Sequence, residues 1–123
     1  MADPIAAKNI DLCASPPRLK TRSLLNLQEG EQLATLFKVF ANPHRLRLLH
    51  ALERAGEIRV GDLAAALGLK VQAISNQLQR LADQGMVAAR RDGQNIFYRI
   101  NNPCLPSVLE HGLCLMETTG RRG

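Results

Sequence analysis

Three sets of side chains in this sequence have the chemistry to bind something. They are three cysteines at positions 13, 104 and 114, three histidines, and a cluster of amides and a hydroxyl between positions 72 and 79. Gln72, Ser75, Asn76 and Gln79 both donate and accept hydrogen bonds without carrying charge, and Asn or Gln can pair through two bonds with adenine in the major groove. Around them stand Lys70, Arg80, Arg90, Arg91 and Arg99, five cations against only Asp83 and Asp92 over the same stretch, with Gln94 and Asn95 between the last arginines. Cations of this kind suit phosphate contacts, which position a protein on DNA, while uncharged donors and acceptors read the bases. The same residues also fit a solvated amphipathic helix beside a surface hairpin, although such a face ordinarily carries more Glu and Lys. The thiols are odd in number and contain no CxxC pair, so they do not form an export-type disulfide framework. They are packed thiols or a sensor.

The elements that must hold these groups follow from periodicity and punctuation. Residues 1–25 contain Pro4, Pro16 and Pro17, scattered charge and no apolar period, and read as a flexible arm that includes Cys13. Asn26 with Glu29 three positions on has capping-box spacing, and Leu33, Leu36, Phe37 and Phe40 then recur at i, i+3, i+4 and i+7, one apolar helix face. Asn42 followed by Pro43 starts a second helix, with Leu46, Leu49 and Leu52 expected on its core face and Gly56 at its end. Residues 57–60 allow a stub strand. Residues 62–67 form a short helix stopped by Gly68, and residues 71–84 form a longer one closed by Gly85. On a wheel at about 100° per residue, Ile74, Leu78 and Leu81 fall on one side of that helix and Gln72, Ser75, Asn76, Gln79 and Asp83 on the other. Strand-forming residues at 86–91 and 96–100 flank Asp92-Gly93-Gln94-Asn95, a hairpin signal. A last helix runs from Asn102 as cap and Pro103 to Thr118. Residues 26–118 therefore make one α+β, mostly α domain, a winged helix-turn-helix with extra N- and C-terminal helices, and 119–123 is a tail. A short helix, a glycine turn, a helix with an amide face and a basic hairpin form a unit with few uses other than DNA binding.

Composition narrows the field. The chain has 123 residues, 46% of them hydrophobic, which suits one packed domain. One Tyr, three Phe and no Trp argue against stacking of single-stranded bases on aromatic platforms. Sixteen Lys and Arg against eleven Asp and Glu give a net +5, a balance suited to a polyanionic partner. The longest apolar run, Leu63 to Leu67, is far short of the roughly 20 residues that cross a bilayer, and the N-terminus lacks the pattern of a secretory signal. A cytoplasmic protein without a membrane partner is expected. No phosphate-binding loop or HExxH is present, and Ser75 has no histidine at a motif spacing, so catalysis is not expected.

Several segments resemble the ArsR/SmtB family of metal-responsive repressors. Residues 40–49, Phe-Ala-Asn-Pro-His-Arg-Leu-Arg-Leu-Leu, are similar to its "aLaDptRlrIL" segment, residues 57–64 to "ELCVGDLA", and residues 73–78 to "AVSHQL" in its recognition helix. Arg91-Asp92-Gly93-Gln94 through Phe97-Tyr98-Arg99 resembles its wing. The resemblance spans about residues 30–117. It implies a homodimer built from the first and last helices, bound to a pseudo-palindromic double-stranded operator until an inducer arrives. Leu33, Leu36, Phe37, Phe40, Leu105, Val108, Leu109 and Met116 are the candidate dimer contacts.

The chain departs from this family at the metal sites. Arg59 and Gly61 stand where the family's thiol motif has its first cysteine and a possible second. The family's last-helix site, D-x-H then H-x-x-E/H, reads here as Asn102, Cys104, Leu115 and Thr118, or with a small shift as Cys104, Cys114 and Glu117. Ten residues on one helix put Cys104 and Cys114 roughly 15 Å apart along the axis, so a shared ion requires Cys104 of one subunit to approach Cys114 of the other. His111 lies on the same side of the wheel, and Cys13 is a third candidate thiolate. Such ligands prefer soft ions such as arsenite, cadmium, lead or mercury. A thiol redox or persulfide switch, plain packing of the cysteines, and a regulator without a metal inducer remain open alternatives.

Overall fold

The Asn26 side chain accepts from the Glu29 amide at 2.8 Å, and the Glu29 carboxylate accepts from the Asn26 amide at 3.0 Å. These reciprocal bonds start α1, Leu27–Phe40, as the capping box implied. The structure is a computed structural model that describes residues 18–119. Asn42 caps α2, Pro43–Ala55, by accepting from the Arg45 amide, with Pro43 in the first turn where a missing N–H costs nothing. β1, Ile58–Arg59, leads directly into α3, Val60–Leu67, two residues earlier than expected. Gly68, at φ 67°, ends α3 in the left-handed conformation that a glycine adopts without a Cβ penalty. α4, Val71–Asp83, is followed by β2, Val87–Asp92, and β3, Asn95–Ile100. The last helix, α5, spans Cys104–Thr119, its first amide donating to the Asn102 side chain. Among the described residues these are five helices and one antiparallel sheet ordered β1-β3-β2.

The core forms where α2, α3 and α4 meet the sheet. Leu48, Leu49 and Leu52 of α2, Leu63 of α3, and Ile74, Leu78 and Leu81 of α4 are almost fully removed from solvent. Val87 and Tyr98 close the core from the sheet, Val39 from α1 and Leu105 from α5. The α4 pattern is as expected, but two positions elsewhere are not. Leu46 remains 36% exposed while Leu48 is buried in its place, in a helix that packs against α3, β3, α1 and α5. Leu105, expected at a dimer seam, is only 4% exposed and belongs to the core of this chain. On α1 the buried residue is Val39. Leu33, Leu36 and Phe37 are 40–50% exposed, and Phe40 is half-buried against the core.

The hairpin is tighter than the four-residue connection the sequence suggested. Asp92 pairs with Asn95, so the loop is Gly93-Gln94 alone. Gly93 has φ 65° at the first central position, where glycine favours the primed turns that match strand twist. No helix among the described residues is long and apolar enough to cross a membrane.

Candidate nucleic-acid interface

Helix α4 keeps its apolar side in the core, which fixes where its other side points. Gln72, Asn76, Gln79 and Asp83 are exposed and Ser75 is half-buried, so the uncharged stripe is available to a partner. The Gln72 amide donates to the Asn76 side-chain oxygen at 3.1 Å, one helical turn away, which holds the two amides together before any partner arrives. The α3–α4 connection is short, and Ile74, Leu78 and Leu81 of α4 share one core cluster with the leucines of α2 and α3.

The cations around the stripe divide into two groups. Lys70, Arg80 and Arg91 are exposed and form no ion pair among the described residues. Arg90 is engaged. Its Nε lies 3.2 Å from both carboxylate oxygens of Glu57, its Nη2 is 2.8 Å from one of them, and its guanidinium carbon sits 4.7 Å from the Phe97 ring centroid. The hydrogen bond from Arg90 holds the Glu57 carboxyl below its ordinary pKa, against the opposing effect of desolvation and with help from the charges of Arg90 and Arg99. The strand register explains the division. Arg90 pairs with Phe97 and Ala88 with Arg99, while Arg91 pairs with Ile96 and Ala89 with Tyr98. Paired residues share a face, so Arg90, Phe97 and Arg99 lie on one face of the wing and Arg91 on the other, beside the buried Tyr98. Of the arginines expected to contact phosphates, Arg90 already has a partner within the chain, bracing the wing against Glu57. Gln94 and Asn95 are exposed at the wing tip.

The two described cysteines, Cys104 and Cys114, lie on α5. Cys104 is half-buried at the start of α5 and is disulfide-bonded, whereas Cys114 is an exposed free thiol ten residues along the same helix. A disulfide was not expected from the cysteine spacing. Cys13 lies outside the described residues. His111 is exposed, with Nδ1 2.8 Å from the Ser107 carbonyl. A carbonyl only accepts, so Nδ1 carries the proton and Nε2 is the ring nitrogen left for a ligand. Among the described residues no three His, Cys, Asp or Glu side chains gather into a metal-binding group. His44 and His50 are exposed on α2. The exposed part of the α1 face joins Leu46 and α5 in an open apolar groove of about 470 Å³, lined by Phe37, Phe40, Val108, Leu109, Leu113 and Met116 with Arg47 and His50 alongside. Sequence reasoning missed Leu46 and Leu113 as parts of this groove.

The sequence profile of the MarR family matches residues 42–95, from the α2 cap to the start of β3. A Transcriptional repressor SmtB homolog from Synechocystis is 42% identical over 77 residues, which cover 63% of this chain and 58% of that protein. The crystal structure of the AntR antimony-specific transcriptional repressor is 53% identical, covers 87% of this chain and 96% of its own, and superposes with a TM-score of 0.74. The chain belongs to the ArsR/SmtB family. A solution structure from Mycobacterium bovis, a homodimeric winged helix-turn-helix DNA-binding domain of a possible ArsR-family regulator, is 27% identical, with coverage of 83% and 96% and a TM-score of 0.67. Placement among the ArsR/SmtB proteins makes this a DNA-binding transcription regulator of winged-helix architecture, and its relatives are regulators rather than enzymes.

Proposed function

We propose that this ArsR/SmtB protein is a homodimeric repressor that lays α4 of each subunit in the major groove of a pseudo-palindromic operator. In this reading a thiophilic metal or metalloid ion releases it. The observation that carries the DNA reading is the uncharged stripe of exposed Gln72, Asn76 and Gln79 and half-buried Ser75, beside Lys70, Arg80 and Arg91, which form no ion pair among the described residues. Arg99 and the wing-tip amides Gln94 and Asn95 complete the surface. Homodimer formation is supported by the apolar groove between α1 and α5 together with the exposed side chains Leu36, Phe37, Leu113 and Met116 around it. The homodimeric assembly of the mycobacterial relative supports it as well. Residues Leu33, Leu36, Phe37, Phe40, Val108, Leu109 and Met116 would supply the contact.

The inducer site would use Cys104 of one subunit and Cys114 of the other, with Cys13 and His111 as further donors. Thiolates are soft ligands and fit trivalent antimony, arsenite, cadmium, lead or mercury better than hard cations. The 53% identity to an antimony-specific repressor supports a metalloid. Such an ion would hold the two last helices in one relative position, and the residues of α5 would convey that constraint to the dimer. A second reading is favoured by one observation, the disulfide at Cys104. A sulfur in a disulfide is not a thiolate ligand, so oxidation and ion binding exclude each other there. In that reading the thiol redox state itself sets DNA affinity.

One titration separates the two readings. Fully reduced wild type, Cys104→Ser and Cys114→Ser are bound to a duplex selected from a random pool, with and without antimonite, arsenite or cadmium. Ion-dependent release of about 5- to 150-fold in wild type, lost in both variants, is expected. An equal response in all three proteins refutes the thiolate site. Release on oxidation with no ion added assigns the switch to the disulfide.

A further inference from the structure

Arg45 lies in the first turn of α2, away from the stripe and the wing, yet it joins three parts of the molecule. Its amide donates to the Asn42 cap at 3.0 Å, its Nη1 donates to the Val39 carbonyl at 2.9 Å, and its Nε donates to the Gln77 side-chain oxygen at 3.1 Å. Each contact has a physical reason. The Val39 carbonyl belongs to the last turn of α1, where carbonyls lack intrahelical donors and the helix dipole attracts a cation. The guanidinium is a rigid planar fork, so bonds made by Nε and Nη1 fix their two acceptors relative to one another. Arg45 and Gln77 are both half-buried, which limits competition from water.

Packing alone does not set this distance. Between the start of α2 and α4 lies a cavity of about 270 Å³, lined by Asn42, His44, Leu48, Leu69, Ile74 and Gln77. The polar bridge therefore crosses a seam that side chains leave partly open. Gln77 directly follows Asn76 and precedes Gln79 by two positions, so a shift of α4 at Gln77 carries the whole stripe with it. At the other end, Val39 lies within one turn of Phe37, on the helix that bears the proposed dimer face.

We infer that Arg45 is a positioning residue for operator reading: a strut between the end of α1 and the side of α4 that sets the angle at which the amide stripe is presented. The inference rests on the DNA-binding reading above and adds a residue outside the contact surface. It also supplies a physical link by which a movement of α1 at the dimer seam reaches the recognition helix.

The test uses the reduced full chain as wild type, Arg45→Lys, Arg45→Met, Gln77→Met and the Arg45→Met/Gln77→Met double variant. Affinity is measured for a duplex selected by the wild type from a random pool and for mixed-sequence duplex, and amide exchange is followed in the DNA-free proteins. Each single variant is expected to lose about tenfold on the selected duplex with little change on mixed sequence, and the double variant to lose no more than the worse single one. Arg45→Lys should behave like Arg45→Met, because an ammonium cannot hold both acceptors in the fork geometry. Additive losses, or an unchanged Gln77→Met, would overturn the strut. Parallel loss on both duplexes would overturn it too, making Arg45 a phosphate contact. A wild type that ignores every duplex refutes the DNA-binding reading instead, and exchange then decides the strut. Faster exchange in α4 of all three single variants supports it, and unchanged exchange refutes it.

Discussion

Arg90 and Arg91 are neighbours along the chain and stand on opposite faces of the wing. Arg90 is committed to Glu57 and stacked near Phe97, while Arg91 makes no ion pair among the described residues. Arg91→Ala should weaken selected and random duplexes alike and lower the slope of log affinity against log salt by about one, as expected for one lost phosphate contact. Arg90→Ala should leave that slope unchanged and instead speed amide exchange in β2 and β3. Asn76→Ala should act on the selected duplex alone, by about 1–3 kcal/mol if its amide reads a base. Equal losses on both duplexes would assign Asn76 to the backbone. The Glu57–Arg90 pair also carries a pH signature. The folded carboxyl has its pKa lowered, so its stabilising effect is present above the ordinary carboxylate pKa of 4.5 and is lost as pH falls through the lower folded value. The difference in thermal midpoint between wild type and Glu57→Gln should therefore be largest near neutrality and vanish in acid. A difference that persists at pH 2 would show that the residue acts through packing.

The elements are held by local devices whose removal has separable effects. The Asn26–Glu29 capping box starts α1 at an exposed site, and Asn26→Ala should lower global stability by about 0.5–2 kcal/mol in thermal unfolding while leaving α4 in place. At the wing tip, a Cβ added to Gly93 meets nothing within 4 Å, so any cost of Gly93→Ala comes from its φ of 65° alone, about 1–2 kcal/mol. That variant should melt the hairpin locally, with faster exchange in β2 and β3 and little change in the α2 to α4 core. Uniformly faster exchange across the chain would show that the hairpin is part of the global folding unit.

The molecule as a whole presents two surfaces, an uncharged stripe on α4 beside Lys70, Arg80 and Arg91, which form no ion pair among the described residues, and an apolar groove on α1 and α5. If the groove is a dimer seam, Phe37→Glu should yield monomers in sedimentation equilibrium and cost operator affinity far more than affinity for a single half-site. A monomeric wild type would refute the seam. Cys104 and Cys114 lie on α5, so an ion shared between subunits would act on the spacing of two α4 helices rather than on either helix alone. Arg45 bonds to Val39 of α1 and to Gln77 of α4, one helix behind each surface.

Periodicity and punctuation were enough to place every described helix and strand to within two residues, because caps, glycine stops and the 3.6-residue apolar period are local properties. They also identified the α4 stripe, since the leucines on one side of a helix dictate what the other side shows. Pairing and packing were beyond them. That Arg90 is held by Glu57, that Leu105 is core while Leu46 opens on the groove, and that Arg45 spans from Val39 to Gln77 depend on residues brought together from distant positions. A sequence records which side chains are present on each face, and only the assembled fold decides which of them still have a hand free.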